Sequence, residues 1–208
     1  MAFDLQEQEQ IAELKAFWQD YGRHIALGLG IAVAIYGGWK GWQAWENNQS
    51  GKASVVYARL EAAAGDVAKT KAAAEELKKD YSRTAYAGRA ALVSARAAFV
   101  AGDLAAARSE LNWAIENGRD ASIRDVARIR LANVLMDEKK YDEALIQLKS
   151  AEEQSFGALY AETRGDVLAL KGDAAGAGEA YKQALAKLPK DAPNYKFVEV
   201  KLEALGSH

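Results

Sequence analysis

No proline occurs before Pro189, and Pro193 is the only other one in the chain. Proline removes a backbone donor and clashes with the preceding helical turn, so everything before residue 189 lacks the strongest helix breaker. Alanine, the best helix former, fills 44 of the 208 positions. The expected fold class is therefore all-α. A hydrophobic content of 50% is enough for a true core and excludes a wholly disordered chain.

The stretch HIALGLGIAVAIYGGWKGWQAW, residues 24–45, is the most apolar part of the chain. Ile25 to Trp39 carries no formal charge, and Lys40 lies close enough to one end for its stem to lift the ammonium toward an interface. That extends the span to Ala44, matching the roughly 20 helical residues a bilayer core requires. Phe17, Trp18 and Tyr21 flank one end and Trp39, Trp42 and Trp45 the other, as amphipathic rings do at headgroup level. A cleavable export signal fits poorly, because a long, mostly acidic leader precedes the apolar run and bulky tryptophans follow it. A retained transmembrane helix over 24–45 is the expectation, ahead of a core helix of a soluble domain.

Within that span Gly22, Ala26, Gly30, Ala34 and Gly38 recur every fourth residue and form a stripe on one face. Such a stripe lets another helix approach closely, although glycine and alanine are common in membrane helices anyway. Before the span, Ile11, Leu14, Phe17, Trp18 and Tyr21 share a face, so residues 1–23 read as an amphipathic leader. Two basic residues precede the span (Lys15, Arg23) and three follow it (Lys40, Lys52, Arg59), so charge alone leaves the orientation open.

Asn47-Asn48-Gln49-Ser50-Gly51 reads as a polar linker over 46–52, leaving 53–208 as the main domain. Turn signals then recur every 12 to 18 residues, near Gly65-Asp66, Asp80-Ser82, Gly102-Asp103, Asn117-Gly118, Lys139-Lys140, Ser155-Gly157 and Gly172-Asp173. The segment LYAETRGDVLALKGDAAGAGEAYKQALAKLP, from Leu159, has the offsets of a tetratricopeptide unit. Gly165 is the small residue of the first helix, Gly172 the turn, Ala177 and Ala184 the close contacts, Tyr181 the large aromatic and Pro189 the end. Leu131, Ala132, Ala144, Leu148 and Ala151 fit a second unit, and Ala95, Gly102, Ala107, Leu111 and Ala114 a third. The expected architecture is an N-terminal transmembrane helix followed by a tetratricopeptide-like helical-hairpin solenoid. Residues 53–64 and 66–80 fit no unit and read as a lead-in, with 194–205 as a cap.

Little in this sequence can do chemistry. Cysteine is absent and the only histidines are His24 and His208, so a thiolate site, a conventional transition-metal site or a histidine-based triad lacks its parts. Pairs such as Glu75-Glu76 and Glu152-Glu153 read as solvated helix charge, and no phosphate-binding loop follows a strand. No enzyme and no cofactor are expected. Beyond residue 45 the chain holds 24 basic and 24 acidic residues, which leaves no electrostatic footprint for nucleic acid. First helices of tetratricopeptide units line a groove, and here the groove-facing candidates are Arg89, Arg96, Phe99, Asn133, Met136, Glu162 and Asp166. Mixed charge with an aromatic and a methionine suits protein contact better than a small molecule.

The order of parts, a leader with EQEQIAELKAFWQDYG, a span ending GGWKGWQAW, and an alanine-rich repeat domain with LKGDAAGAGEAYKQAL, resembles the YfgM family of ancillary Sec translocon subunits over essentially the full length. The resemblance implies a single-pass inner-membrane protein with a cytoplasmic N-terminus and a periplasmic repeat domain. It also implies association with SecYEG and with a membrane-anchored periplasmic chaperone of the PpiD type. Emerging secretory and outer-membrane proteins would then be handed to folding factors. A cytoplasm-facing tetratricopeptide scaffold of another complex is the alternative reading.

Overall fold

The computed structural model describes residues 2–206, with side chains from Glu9 onward; Met1, Ser207 and His208 lie outside the described residues. Among the described residues nine α-helices run α1 (Ala2–Ala62), α2 (Val67–Asp80), α3 (Ala85–Val100), α4 (Leu104–Asn117), α5 (Ala121–Asp137), α6 (Tyr141–Gln147), α7 (Gly157–Lys171), α8 (Ala174–Lys187) and α9 (Tyr195–Leu205). Among the described residues there is no strand. The chain divides into two units between Asn48 and Gln49.

The first unit consists of the N-terminal part of α1. Its apolar side chains, among them Leu27, Leu29, Ile31, Val33 and Ile35, are exposed, and its one span long and apolar enough to cross a membrane has no protein cover. Ile25 to Ala44 as a helix rises about 30 Å, the thickness of a hydrocarbon core. Aromatic rings pair at both ends, Phe17 with Tyr21 at 5.2 Å and Trp42 with Trp45 at 5.3 Å between centroids. The Lys40 ammonium sits 5.7 Å from the Trp39 ring, so the one charge in the stretch is held at the aromatic belt. Residues 46–52, expected as a linker, contain the boundary between the two units and are helical, because their polar side chains do not break a helix and the segment contains no proline.

In the second unit each helix packs on the next, and α3, α5 and α7 also touch in series, which makes α3–α4, α5–α6 and α7–α8 the three repeats. Ala53, Val56 and Leu60 of α1 share a core cluster with Ala74 and Leu77 of α2 and Ala90 of α3, so the lead-in is itself a helical hairpin. The equivalent alanines 107, 144 and 177 are all fully buried, as small residues must be where helix axes come close. At Gly165 a Cβ would collide with the Tyr181 ring, and that ring is fixed by its hydroxyl donating to Asp166 at 2.8 Å.

Three turns use one device. Gly65, Gly102 and Gly172 have φ of 101°, 80° and 91°, the left-handed region, and the aspartate after each caps the next helix. Asp66 accepts from the Lys69 amide at 3.1 Å, Asp103 from Ala106 at 2.9 Å and Asp173 from Gly176 at 2.8 Å. Between α5 and α6 the same place is taken by Lys139, at φ 60°, and Lys140 supplies no side-chain cap. There α6 stops after seven residues, so Leu148 and Ala151, expected on the second helix of that repeat, lie beyond its end. Leu148 is still fully buried. Replacing Lys139 by Gly together with Lys140 by Asp restores the capped turn and should raise stability by about 1 kcal/mol. Urea denaturation monitored by circular dichroism checks this, and a lowered midpoint would contradict the role given to the turn.

Candidate protein-interaction groove

α3 and α5 lie side by side and present a recess of about 310 Å³ lined by Ala95, Arg96, Phe99, Leu111, Arg130, Asn133 and Val134. Arg96 and Phe99 lie three residues apart on α3, and Asn133 and Val134 lie three and four residues after Arg130 on α5, so one face of each helix supplies most of the lining, with Leu111 added from α4. The structure thus brings together three groove candidates, Arg96, Phe99 and Asn133. Phe99 is 40% exposed, an aromatic edge at the mouth over an alanine and leucine floor. Arg89 is exposed two turns before Arg96 on α3, and Met136 packs into the central core cluster from its margin. Arg130 was not among the residues expected. It lies one turn before Asn133, and the spacing that selected Asn133 and Met136 selects it equally well.

Glu162 and Asp166 are placed differently. Lys201 of α9 reaches Glu162 at 3.0 Å and Asp166 at 2.8 Å, and Asn194 donates to Glu162 at 3.2 Å. Glu162 is left only 8% exposed. The corresponding surface of the last repeat is therefore closed by α9, whose Val198 is buried with Ala177, Tyr181 and Ala184. Unpaired, a carboxylate at that depth would be destabilising, and the lysine makes its burial tolerable. Open surface is confined to the α3 and α5 side of this row of candidates.

A second polar network holds the start of α5 to the start of the last repeat. Asp125, fully buried, accepts from the Tyr160 hydroxyl at 2.7 Å and from the amides of Glu152 and Glu153, both at 2.9 Å. These bonds divert the backbone after α6 into an extended turn, which is why a helix does not continue there. Arg124 and Arg128 both bind Glu152, Arg128 at 2.5 Å. The hydrogen bonds from Arg124, aided by Arg128, hold the Glu152 carboxyl down to about 2. Burial and the neighbouring Asp125 carboxylate push the Tyr160 hydroxyl up.

In the apolar part of α1, Ala26, Gly30, Ala34 and Gly38 are exposed along the expected stripe, with open space at Gly30 and Gly38. Gly22 is covered by its own helix, since a Cβ there would lie 3.2 Å from the Trp18 indole. Among the described residues no group of three or more histidine, aspartate or glutamate side chains is gathered as for a metal ion.

Residues 15–207 match the tetratricopeptide repeat-like domain family. The chain is 33% identical over 208 residues to the ancillary SecYEG translocon subunit of Neisseria gonorrhoeae, covering 99% of this chain and 100% of that protein. The chain belongs to the YfgM family of ancillary SecYEG translocon subunits. Like-named proteins of Haemophilus influenzae and Escherichia coli are 31% and 26% identical, over 88% and 85% of this chain and 91% and 85% of theirs. The match to the family spans the apolar part of α1 as well as the repeats, so anchor and solenoid belong to one design.

In this family member the Glu152 carboxyl is held below its ordinary value of 4.5, so it stabilises the folded state in full above that pH. The contribution is lost as the pH falls from about 4.5 to about 2. Glu152→Gln should therefore be less stable than the parent near neutrality and converge with it toward pH 2 in denaturant titrations. A stability difference that does not change with pH would contradict the network.

Proposed function

We propose that this chain is a membrane-anchored, non-enzymatic adaptor that associates with the SecYEG translocon. In this reading it links emerging secretory and outer-membrane proteins to periplasmic chaperones, including a membrane-anchored one of the PpiD type. Its α1 crosses the inner membrane once, the N-terminus is cytoplasmic and the repeat domain periplasmic. The observation that carries the reading is the full-length similarity to a protein named ancillary SecYEG translocon subunit, 99% of one chain against 100% of the other. The layout agrees with it, since a bare apolar helix needs lipid or another helix, and stacked hairpins offer a surface rather than a reaction centre. The residues proposed for protein contact are Arg89, Arg96, Phe99, Asn133 and Met136, and those for contact within the membrane are Ala26, Gly30, Ala34 and Gly38.

A second reading is compatible with the charge pattern. The basic residues near the span, three after it and two before it, do not oppose a cytoplasmic repeat domain with a scaffold role in another complex. Affinity purification of the full chain from membranes in mild detergent separates the two. SecYEG and a membrane-anchored periplasmic chaperone should be recovered with it and identified by mass spectrometry. Recovery of cytoplasmic proteins with neither of these would overturn the translocon reading.

A further inference from the structure

The recess between α3 and α5 is electrostatically unbalanced. α3 carries Arg89 and Arg96 and no acidic residue. On α5, Arg124 and Arg128 are both engaged by Glu152, whereas Arg130 points into the recess that Arg96 also lines. Among the described residues neither Arg96 nor Arg130 makes an ion pair, and the hydrogen bond seen at Arg130 runs to the Leu92 carbonyl at 3.3 Å. A guanidinium has five N–H donors, so most of the donor capacity at this spot is unused. Partial burial, and then the charge of Arg96, both depress the pKa of Arg130. Two like charges are held over an apolar floor, an arrangement that an arriving anion would relieve.

The form of that anion follows from the lining. About 310 Å³ is the small end of the range for ligand recesses, room for a few side chains rather than for the long row of anchors on an amphipathic helix. Cationic and apolar groups line the same opening, so a ligand must present a carboxylate and an apolar group in one direction. An extended chain does this with residues two apart, whose side chains fall on one face. Asn133 at the rim can both donate to and accept from the ligand's backbone.

We propose that this recess docks an extended, unfolded protein segment that carries an acidic side chain two residues from an aliphatic or aromatic one. Arg96 and Arg130 hold the carboxylate, while Phe99, Leu111 and Val134 cover the apolar side chain. The proposal rests on the adaptor reading given above and names the chemistry its groove selects.

The probe is a fluorescein-labelled pentapeptide, acetylated and amidated at its ends, with leucine at positions one and five, glutamate at three and serine between. Binding to the full-length protein in detergent is read by fluorescence anisotropy. Replacing glutamate by glutamine in the probe, or Arg130→Glu in the protein, should each weaken binding about tenfold or more, as loss of a charge-assisted pair does. The double variant Arg96→Glu/Arg130→Glu should instead prefer a probe with lysine at position three, an outcome that misfolding does not produce. Equal binding of the glutamate and glutamine probes, or no binding of any probe, would overturn the proposal. So would binding of short-chain phosphatidylglycerol in place of the peptide, which would make the ligand a lipid headgroup. Probe binding by a protein that fails to recover SecYEG faults the translocon reading alone; recovery of SecYEG without probe binding faults this site alone.

Discussion

The close approach of helices at alanine and glycine is the constraint on which the solenoid depends. Leucine or valine at positions 107, 144 and 177 would push the paired helices apart, and the Gly165 backbone touches a tyrosine ring where any Cβ would collide. Close axes let α3, α5 and α7 touch in series as well as in hairpins, and that contact places α3 and α5 near enough to share a recess. Larger side chains such as Leu111 and Leu148 then fill the space one turn away. The surface function and the packing rule are therefore one feature seen from two sides.

Around this frame the polar groups divide into those that close the structure and those that stay open. Asp125, Glu152 and their arginines fasten the irregular turn after α6. Lys201 fastens α9 over Glu162 and Asp166. Arg96 and Arg130 are left without an acidic partner among the described residues, on the one stretch of groove that no later helix covers.

Much of this was legible in the residues, and the exceptions have physical reasons. Glycine followed by aspartate announces a turn because one residue takes the left-handed conformation and the next caps the helix, so three hairpin turns could be placed to the residue. The early end of α6 was not legible, since it depends on Asp125 capturing amides 27 and 28 residues away. Closure over Glu162 was hidden for the same reason, its partner Lys201 being 39 residues distant. The polar run Asn47–Gly51 resembled a linker by composition, yet composition without proline does not end a helix. Arg130 was visible in principle, one turn from Asn133 and opposite a helix with no acidic residue.

The central claim is that α1 carries the repeat domain across the membrane, leaving its groove on the far side from the leader. Natural absence of cysteine makes the claim directly measurable, because a single introduced thiol reports its own compartment. Variants Glu9→Cys and Asn133→Cys, each exposed in the structure, would be treated in intact spheroplasts with a membrane-impermeant maleimide. The account predicts labelling of Asn133→Cys in intact spheroplasts and labelling of Glu9→Cys only after lysis. The reverse pattern would contradict it, and with it the assignment of the groove to the periplasm.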